Sequence, residues 1–311
     1  MPPVLDRLPS GARVAIVRLR SLGDCVLTTP AIHLLKRHRP DLRLSVVVEP
    51  RFAALYEGNP DVDDIIMPEI GLLRGWKPQL TLNLHGGTRS MWMTLGSLAR
   101  WRAGFGHYRY SFVYNVKIPR AQEILGVDRV VHTAEHAASA VFHLGVPPSE
   151  ISRARLFADK RWKQQNFAVI HPFASATDKA WPAARFLEAA EFIQRVLHLT
   201  PIFIGGPGDD PAPFQPWHVE ISSDLNLSKS LLAPAKLFLG NDSGPAHMAA
   251  AFGVPSVVLF GPSDSVVWAP WRTENVILDG KGDMSRITTT QVVEALGRLR
   301  VPDASTGGID A

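Results

Sequence analysis

Three short stretches concentrate residue types that can do chemistry, and each begins where an apolar run ends. In Asn241-Asp242-Ser243-Gly244-Pro245-Ala246-His247 a carboxylate and a hydroxyl precede a glycine and a small, helix-compatible run. Asp242 or Ser243 can cap the helix start, Pro245 suits its first turn, and Gly253 followed by Pro255 ends it. The free N–H groups of such a start attract anions, and Gly244 lets a ligand approach the backbone. His247, one turn inside, faces the same spot. On spacing alone a capped βαβ unit without a ligand remains an equal alternative. The second stretch, Arg18–Lys36, places Asp24 after Gly23 at the start of an apolar-periodic segment. There it is either a helix N-cap, which Asn would replace with little loss, or a group able to take a proton from a reacting hydroxyl. Arg18 and Arg20 just before it can hold a phosphate or lie on the surface. In the third, His171–Pro182, Lys179 follows Ser175 and Thr177 on a loop after a strand, where a cation and two hydroxyls suit a phosphate.

Two other constellations carry weaker signals. Asn83–Arg89 follows a strand and offers His85 and Arg89. Beyond it Arg100, Arg102 and Arg109 interleave with Trp92, Trp101, Phe105, Tyr108 and Tyr110. That mixture suits a lipid headgroup, a sugar or nucleic acid, and with no nucleic-acid motif a phosphorylated glycolipid at a membrane edge is favoured. His132-Thr-Ala-Glu135-His136 matches a zinc-peptidase pattern, but no third ligand is identifiable, so no metal is expected.

These stretches need a scaffold, and the composition supplies one. The 311 residues suffice for two domains, with 46% hydrophobic and 20% charged residues. No apolar run reaches the roughly 18 residues that span a bilayer. The first residues lack the apolar core of a secretory signal, and a single cysteine fits a reducing compartment, so a cytoplasmic protein is expected. Residues 1–150 hold 18 Lys and Arg against 13 Asp and Glu, the remainder 15 against 16. The positive excess thus lies in the first half, where it suits an anionic partner or the inner face of a membrane.

Strand candidates are Arg13–Arg18, Leu42–Glu49, Ile65–Ile66, Leu80–Leu84 and the run SFVYNVKI, then Asn166–His171, Pro201–Gly206, Leu237–Leu239 and Ser256–Phe260. Helices are expected at Phe52–Tyr56, Arg89–Trp101, Thr133–Leu144, Ala183–Leu197, Pro245–Phe252 and Thr288–Leu299. Alternation of this kind predicts parallel sheets covered on both faces. Val146–Trp162 reads as a crossover between domains, and Pro207–Pro216 as a mobile loop.

The string N-D-S-G-P-A-H-x-A-A-A-x-G-x-P followed by F-G-P resembles the donor-site motif of the ADP-heptose heptosyltransferases of lipopolysaccharide assembly, glycosyltransferase family 9. RLRSLGDCVLTTP resembles the same family's N-terminal signature. HPFASATDKAWP resembles its H-P-G-A-x-x-x-x-K-x-W-P loop, with Phe173 where glycine is usual, and Asn83–Arg89 resembles its acceptor-side loop. The resemblance implies a GT-B fold of two Rossmann-like domains facing across a cleft. It implies residues 1–155 for the acceptor, 156–285 for the nucleotide sugar, and a terminal helix and tail, 286–311, that could pack back on the first domain. It further implies an inverting, metal-independent transferase without cofactor, whose co-substrate is an ADP-sugar and whose acceptor is a lipopolysaccharide core of lipid A–Kdo type. Asp24 would be the general base. Ser175, Thr177, Lys179, Asp242, Ser243, Gly244 and His247 would bind the donor, and Arg18, Arg20, His85 and Arg89 the acceptor. The Gly205–Asp210 loop is loosely similar to the nucleoside-binding region, with Asp209 or Asp210 for the ribose. Ser222–Ala235 looks compressed, which implies a reduced or altered donor pocket. Other nucleotide sugars, a zinc peptidase and a nucleotide-binding module without turnover are the alternatives.

Overall fold

The computed structural model describes residues 2–159 and 161–300. The chain divides into two compact units between Phe157 and Ala158. In the first, β1 (Arg13–Val17), β2 (Arg43–Val47), β3 (Asp64–Ile66), β4 (Leu80–Asn83), β5 (Trp101–Phe105) and β6 (Val116–Ile118) form one sheet in the order β3-β2-β1-β4-β5-β6. Every pairing is parallel. Val14–Val17 and Leu80–Asn83 are buried without alternation, as strands covered on both faces must be. The covering helices are α1 (Leu22–His38), α2 (Ile70–Trp76), α3 (Thr88–Gly96), α4 (Ala121–Leu125) and α5 (Thr133–Leu144).

Helix α1 lies against α5 and is buried along most of its length. It contains Pro30, whose missing N–H would leave the Val26 carbonyl without its helical partner. The Thr29 hydroxyl donates to that carbonyl at 2.7 Å instead. The crossover out of the unit is tied to the same helix: the Arg155 N–H donates to Thr29 Oγ1 at 2.9 Å, and its guanidinium to Asp61 at 2.7 Å.

The second unit repeats the plan. Its strands β7 (Phe167–His171), β8 (Thr200–Gly205), β9 (His218–Ile221), β10 (Leu237–Asn241), β11 (Ser256–Phe260) and β12 (Asn275–Asp279) take the order β12-β11-β10-β7-β8-β9, again all parallel. Numbered within the unit, this is the same 3-2-1-4-5-6 winding, so each sheet reverses once, between its first and fourth strands. The helices are α6 (Ala183–Arg195), α7 (Leu225–Leu232), α8 (Gly244–Phe252), α9 (Ser265–Trp268) and α10 (Thr289–Arg298). Buried Trp181 meets Phe186 edge-on at 4.9 Å and donates its indole N–H to the Ile287 carbonyl at 2.8 Å.

Several expectations change. The terminal helix, α10, packs on α6, β11 and β12, with Val292, Ala295 and Leu296 buried in the second core. The tail from 301 onward lies outside the described residues. The helix expected over Arg89–Trp101 ends at Gly96, because Trp101–Phe105 pairs with β4 and β6 as a strand. Phe52–Tyr56 is a 3-10 turn over Pro50–Leu55. The loop at 207–216 is anchored by Phe214, which is buried and stacked on Phe203 at 4.7 Å. Ser222–Ala235 holds a complete crossover helix, α7, capped by Asp224. Among the described residues no helix is long and apolar enough to cross a membrane.

The placement of α10 has a measurable consequence. Leu296→Ala should cost about 2–5 kcal/mol, the usual penalty for a cavity in a closed core. Chemical denaturation followed by tryptophan fluorescence checks this, and an unchanged midpoint would show that α10 is not part of the second core.

Candidate functional site

The reversal point of each sheet leaves two strand ends without a crossover above them, and both signature stretches sit there. In the first unit β1 runs into Arg18–Asp24. Ser21, not Asp24, is the N-cap of α1; Asp24 stands at the third helical position and completes a capping box. Its Oδ2 accepts from the Ser21 N–H at 3.3 Å and the Ser21 hydroxyl at 2.9 Å, and Oδ1 pairs with Arg18 Nη1 at 3.0 Å. Arg18 is only 6% exposed, so it stands behind Asp24 rather than on an open acceptor surface. Its Nε donates to Thr28 Oγ1 at 3.2 Å, which in turn donates to the Asp24 carbonyl at 2.8 Å. This changes the expected effect of Asp24→Asn, since an amide there leaves a buried guanidinium without its counter-charge. Cys25 is buried, its thiol pushed up to about 12 by burial, which fits a packing role.

Beside this point a cavity of about 300 Å³ is lined by Leu19, Arg20, Glu49, His85, Gly87, Thr88 and Arg89. Buried Asn83 holds the loop that carries His85, its side chain accepting from the backbone N–H groups of His85 at 2.9 Å and Gly86 at 3.1 Å. Gly86 has φ +77°, and a Cβ there would meet the Tyr108 ring at 2.9 Å. Burial, and then the Arg18 charge, push the His85 imidazole below its ordinary range, so it is neutral at pH 7 and able to accept or donate one hydrogen bond. Glu49 pairs with Arg51 at 2.9 Å and reaches Arg89 at 3.7 Å. Thus Arg20, His85 and Arg89 share one cavity, whereas Arg18 serves Asp24. Glu49 escaped the sequence reading because nothing local marks it.

The basic and aromatic segment is not one surface. Arg102 donates to the Val113 and Ala99 carbonyls, both at 3.1 Å, and so braces the loop between β5 and β6. Arg100 and Arg109 stay exposed over Trp101 and Tyr110. Trp92, Leu98 and Phe112 are 53%, 68% and 75% exposed. The zinc-like pattern is divided among other tasks. His132 Nδ1 accepts from the Ala134 N–H at the start of α5, Glu135 is clamped by Arg129 at 2.6 Å, and His136 stacks on Phe105 at 4.0 Å. Among the described residues no group of three His, Cys, Asp or Glu could hold a metal ion.

In the second unit the strut is Asn241, the last residue of β10 and fully buried. Its amide donates to the Pro172 carbonyl at 2.8 Å and accepts from the Trp181 N–H at 3.1 Å, pinning both ends of the loop after β7. Within that loop Ser175 and Thr177 are exposed and Lys179 is half-buried. Lys179 Nζ donates to Ser263 Oγ at 2.9 Å, and the same hydroxyl serves Asp242. Burial raises the Asp242 carboxyl above the usual range, opposed by Ser263 and Lys179. Ser243, not Asp242, is the N-cap of α8. Its hydroxyl turns to His171 Nδ1 at 3.1 Å instead of capping, so the helix start carries no side-chain cap. Burial drives His171 down to about 4 and keeps it neutral. Gly244 opens the helix, and His247 sits buried in its first turn, 6.4 Å from the Trp268 ring. Asp209 and Asp210 are both used in turns, accepting from the Gly206 and Ala212 N–H groups. Asn241 and Ser263 are the two partners that sequence reasoning did not assign.

The profile described as glycosyltransferase family 9 (heptosyltransferase) matches residues 73–292. The chain is 25% identical to lipopolysaccharide heptosyltransferase 3 of Escherichia coli, over 93% of this chain and 99% of that one. Among solved structures, a family 9 glycosyl transferase from Veillonella parvula superimposes with a TM-score of 0.80 at 21% identity, covering 93% and 97% of the two chains. The E. coli heptosyltransferase WaaC with ADP does so with a TM-score of 0.77 at 19% identity, covering 92% and 99%. Two parallel α/β units of this winding are the GT-B fold, and the chain belongs to glycosyltransferase family 9, the heptosyltransferases.

Proposed function

We propose that this glycosyltransferase moves a heptose from ADP-heptose to a lipopolysaccharide-core acceptor, with inversion and without a metal ion. The observation that carries the reading is the group at the carboxyl ends of β7, β10 and β11. There Lys179, Ser263 and Asp242 gather by an α8 start that no side chain caps. A diphosphate leaving group needs positive potential as its charge develops, and a lysine with a helix N-terminus supplies it. Similar proteins point the same way: they include lipopolysaccharide heptosyltransferases and a heptosyltransferase with ADP.

In this reading the first unit holds the acceptor. Arg20, His85 and Arg89 offer a cavity of about 300 Å³ to an anionic sugar. Asp24 accepts the proton of the attacking hydroxyl, held by Arg18 on one oxygen and Ser21 on the other. The hydroxyl oxygen bonds to the anomeric carbon as the bond to the diphosphate breaks on the opposite face, which inverts the centre. A lipid-anchored acceptor brings the protein to a membrane surface, where the exposed Trp92, Leu98, Phe112, Arg100 and Arg109 of the first unit are available for separate apolar and basic contacts.

Lys179→Ala should weaken ADP binding by about 1–3 kcal/mol, the worth of a charge-assisted hydrogen bond. Isothermal titration of the folded variant checks this, and wild-type affinity would remove Lys179 from the donor site. Transfer should persist in EDTA; activity lost to the chelator and restored by a divalent ion would contradict the metal-free reading. Asp24→Asn should lower kcat by about 10²–10⁴-fold. It should also lower stability, because Arg18 loses its partner. Arg18→Gln separates the two effects: it shares the stability loss while retaining the base, and its kcat should fall much less. Equal loss of kcat in both variants would make Asp24 a structural partner of Arg18 only.

A further inference from the structure

Phe173 is a large aromatic side chain in the loop after β7. Its ring is half-buried at the carboxyl ends of β7 and β8. Two edge-on contacts hold it, with Phe214 at 5.6 Å and 89° and with His171 at 6.1 Å and 79°. A third contact is Gly205, the last residue of β8. A Cβ built there would meet ring carbons of Phe173 at 2.6 and 2.8 Å and the Ile221 terminal methyl at 2.7 Å. Gly205 is not among the residues of positive φ, so room, not backbone conformation, explains its glycine. A large aromatic at 173 and a bare position at 205 are therefore a matched pair.

Core packing does not account for the pair by itself. Phe214, 3% exposed, and fully buried Phe203 already stack at 4.7 Å and close the core on that side. Phe173 is packed against that core while part of it stays at the surface. It shares its loop with Lys179, and its neighbour His171 is bonded to Ser243 at the α8 start. A nucleotide whose diphosphate lies at Lys179 and α8 must carry its nucleoside onward along the strand ends, and β8 is the strand next to β7. Gly205 gives the Phe173 ring its room, and at Gly206 a Cβ would meet only Asp209 Oδ2, at 3.8 Å, so the backbone there is open. An aromatic ring offers a base a flat apolar face, which the glycine usual at this position of the family's loop does not.

We propose that Phe173, with Gly205 kept bare beside it, is the wall against which the donor's nucleobase stacks. The inference rests on the nucleotide-sugar reading above and adds a residue that selects for the base. It is tested by titrating the full-length protein, its Phe173→Ala variant and its Phe173→Leu variant with ADP and with inorganic pyrophosphate. Leu retains apolar volume without a flat face, so it serves should the Ala variant fail to fold. The expected result is a loss of ADP affinity of about 5- to 100-fold with pyrophosphate affinity unchanged. KM for the nucleotide sugar should rise while kcat holds. Unchanged ADP affinity, or a parallel loss for ADP and pyrophosphate, would overturn the proposal, since a merely structural ring cannot separate the two ligands. A wild-type protein with no preference for ADP over pyrophosphate would instead overturn the donor reading on which it stands.

Discussion

Parallel neighbours cannot be joined by a hairpin, so each strand here reaches the next strand of its sheet by a crossover, and the crossovers decide where a ligand can lie. In each unit the chain first winds outward on one side of its starting strand and then returns to wind on the other. Only at that reversal are two neighbouring strand ends left open. Both signature stretches of the first unit, after β1 and after β4, flank its reversal, and those of the second unit, after β7 and after β10, flank the other. The chemistry follows from the winding, because the strand ends at each reversal present polar loops to a common ligand, with Glu49 after β2 and Ser263 after β11 joining them from the neighbouring strands.

The two reversal points are equipped for opposite tasks. In the first unit a carboxylate is oriented by a buried cation, and the cavity beside it carries arginines and a neutral imidazole. In the second the carboxylate is disfavoured: Asp242 is raised by burial, and Lys179 and an uncapped helix start dominate. In the proposed transfer a proton acceptor serves the attacking group and positive potential the departing one. His171 illustrates how such a site is held rigid at neutral pH, since burial keeps it uncharged and leaves its Nδ1 for Ser243.

Much of this was legible from local pattern. The helix over Thr133–Leu144 can be read residue for residue, because a capping box opens it and Gly145 closes it. The βαβ openings of both units and the strand that feeds each signature stretch are visible as apolar runs. The strand Trp101–Phe105 was not, since Arg102 and Gly104 interrupt it and its pairing depends on β4 and β6. Asp24 reads as a helix cap from its place after Gly23. Only the structure shows that Ser21 takes that position and that Arg18, six residues before Asp24, claims its free oxygen. Ser263 and Asn241 acquire their roles through partners 84 and 60 to 69 residues away in sequence, a separation that no spacing rule reaches.

Asn241 shows why a polar residue belongs at the centre of an apolar sheet. At the end of β10 it is wholly buried, where an unpaired amide would cost about 1–3 kcal/mol. Its acceptor and one donor are instead taken by the Trp181 N–H and the Pro172 carbonyl. Those two backbone groups bracket the loop that carries Ser175, Thr177 and Lys179, so one side chain fixes where the loop leaves the sheet and where it rejoins. An apolar residue at 241 would leave both backbone groups without these bonds and release the loop at both ends. In the proposed donor role the lysine meets a phosphate at a defined place because its loop is anchored from the neighbouring strand, while Ser175 and Thr177 between the anchors stay exposed.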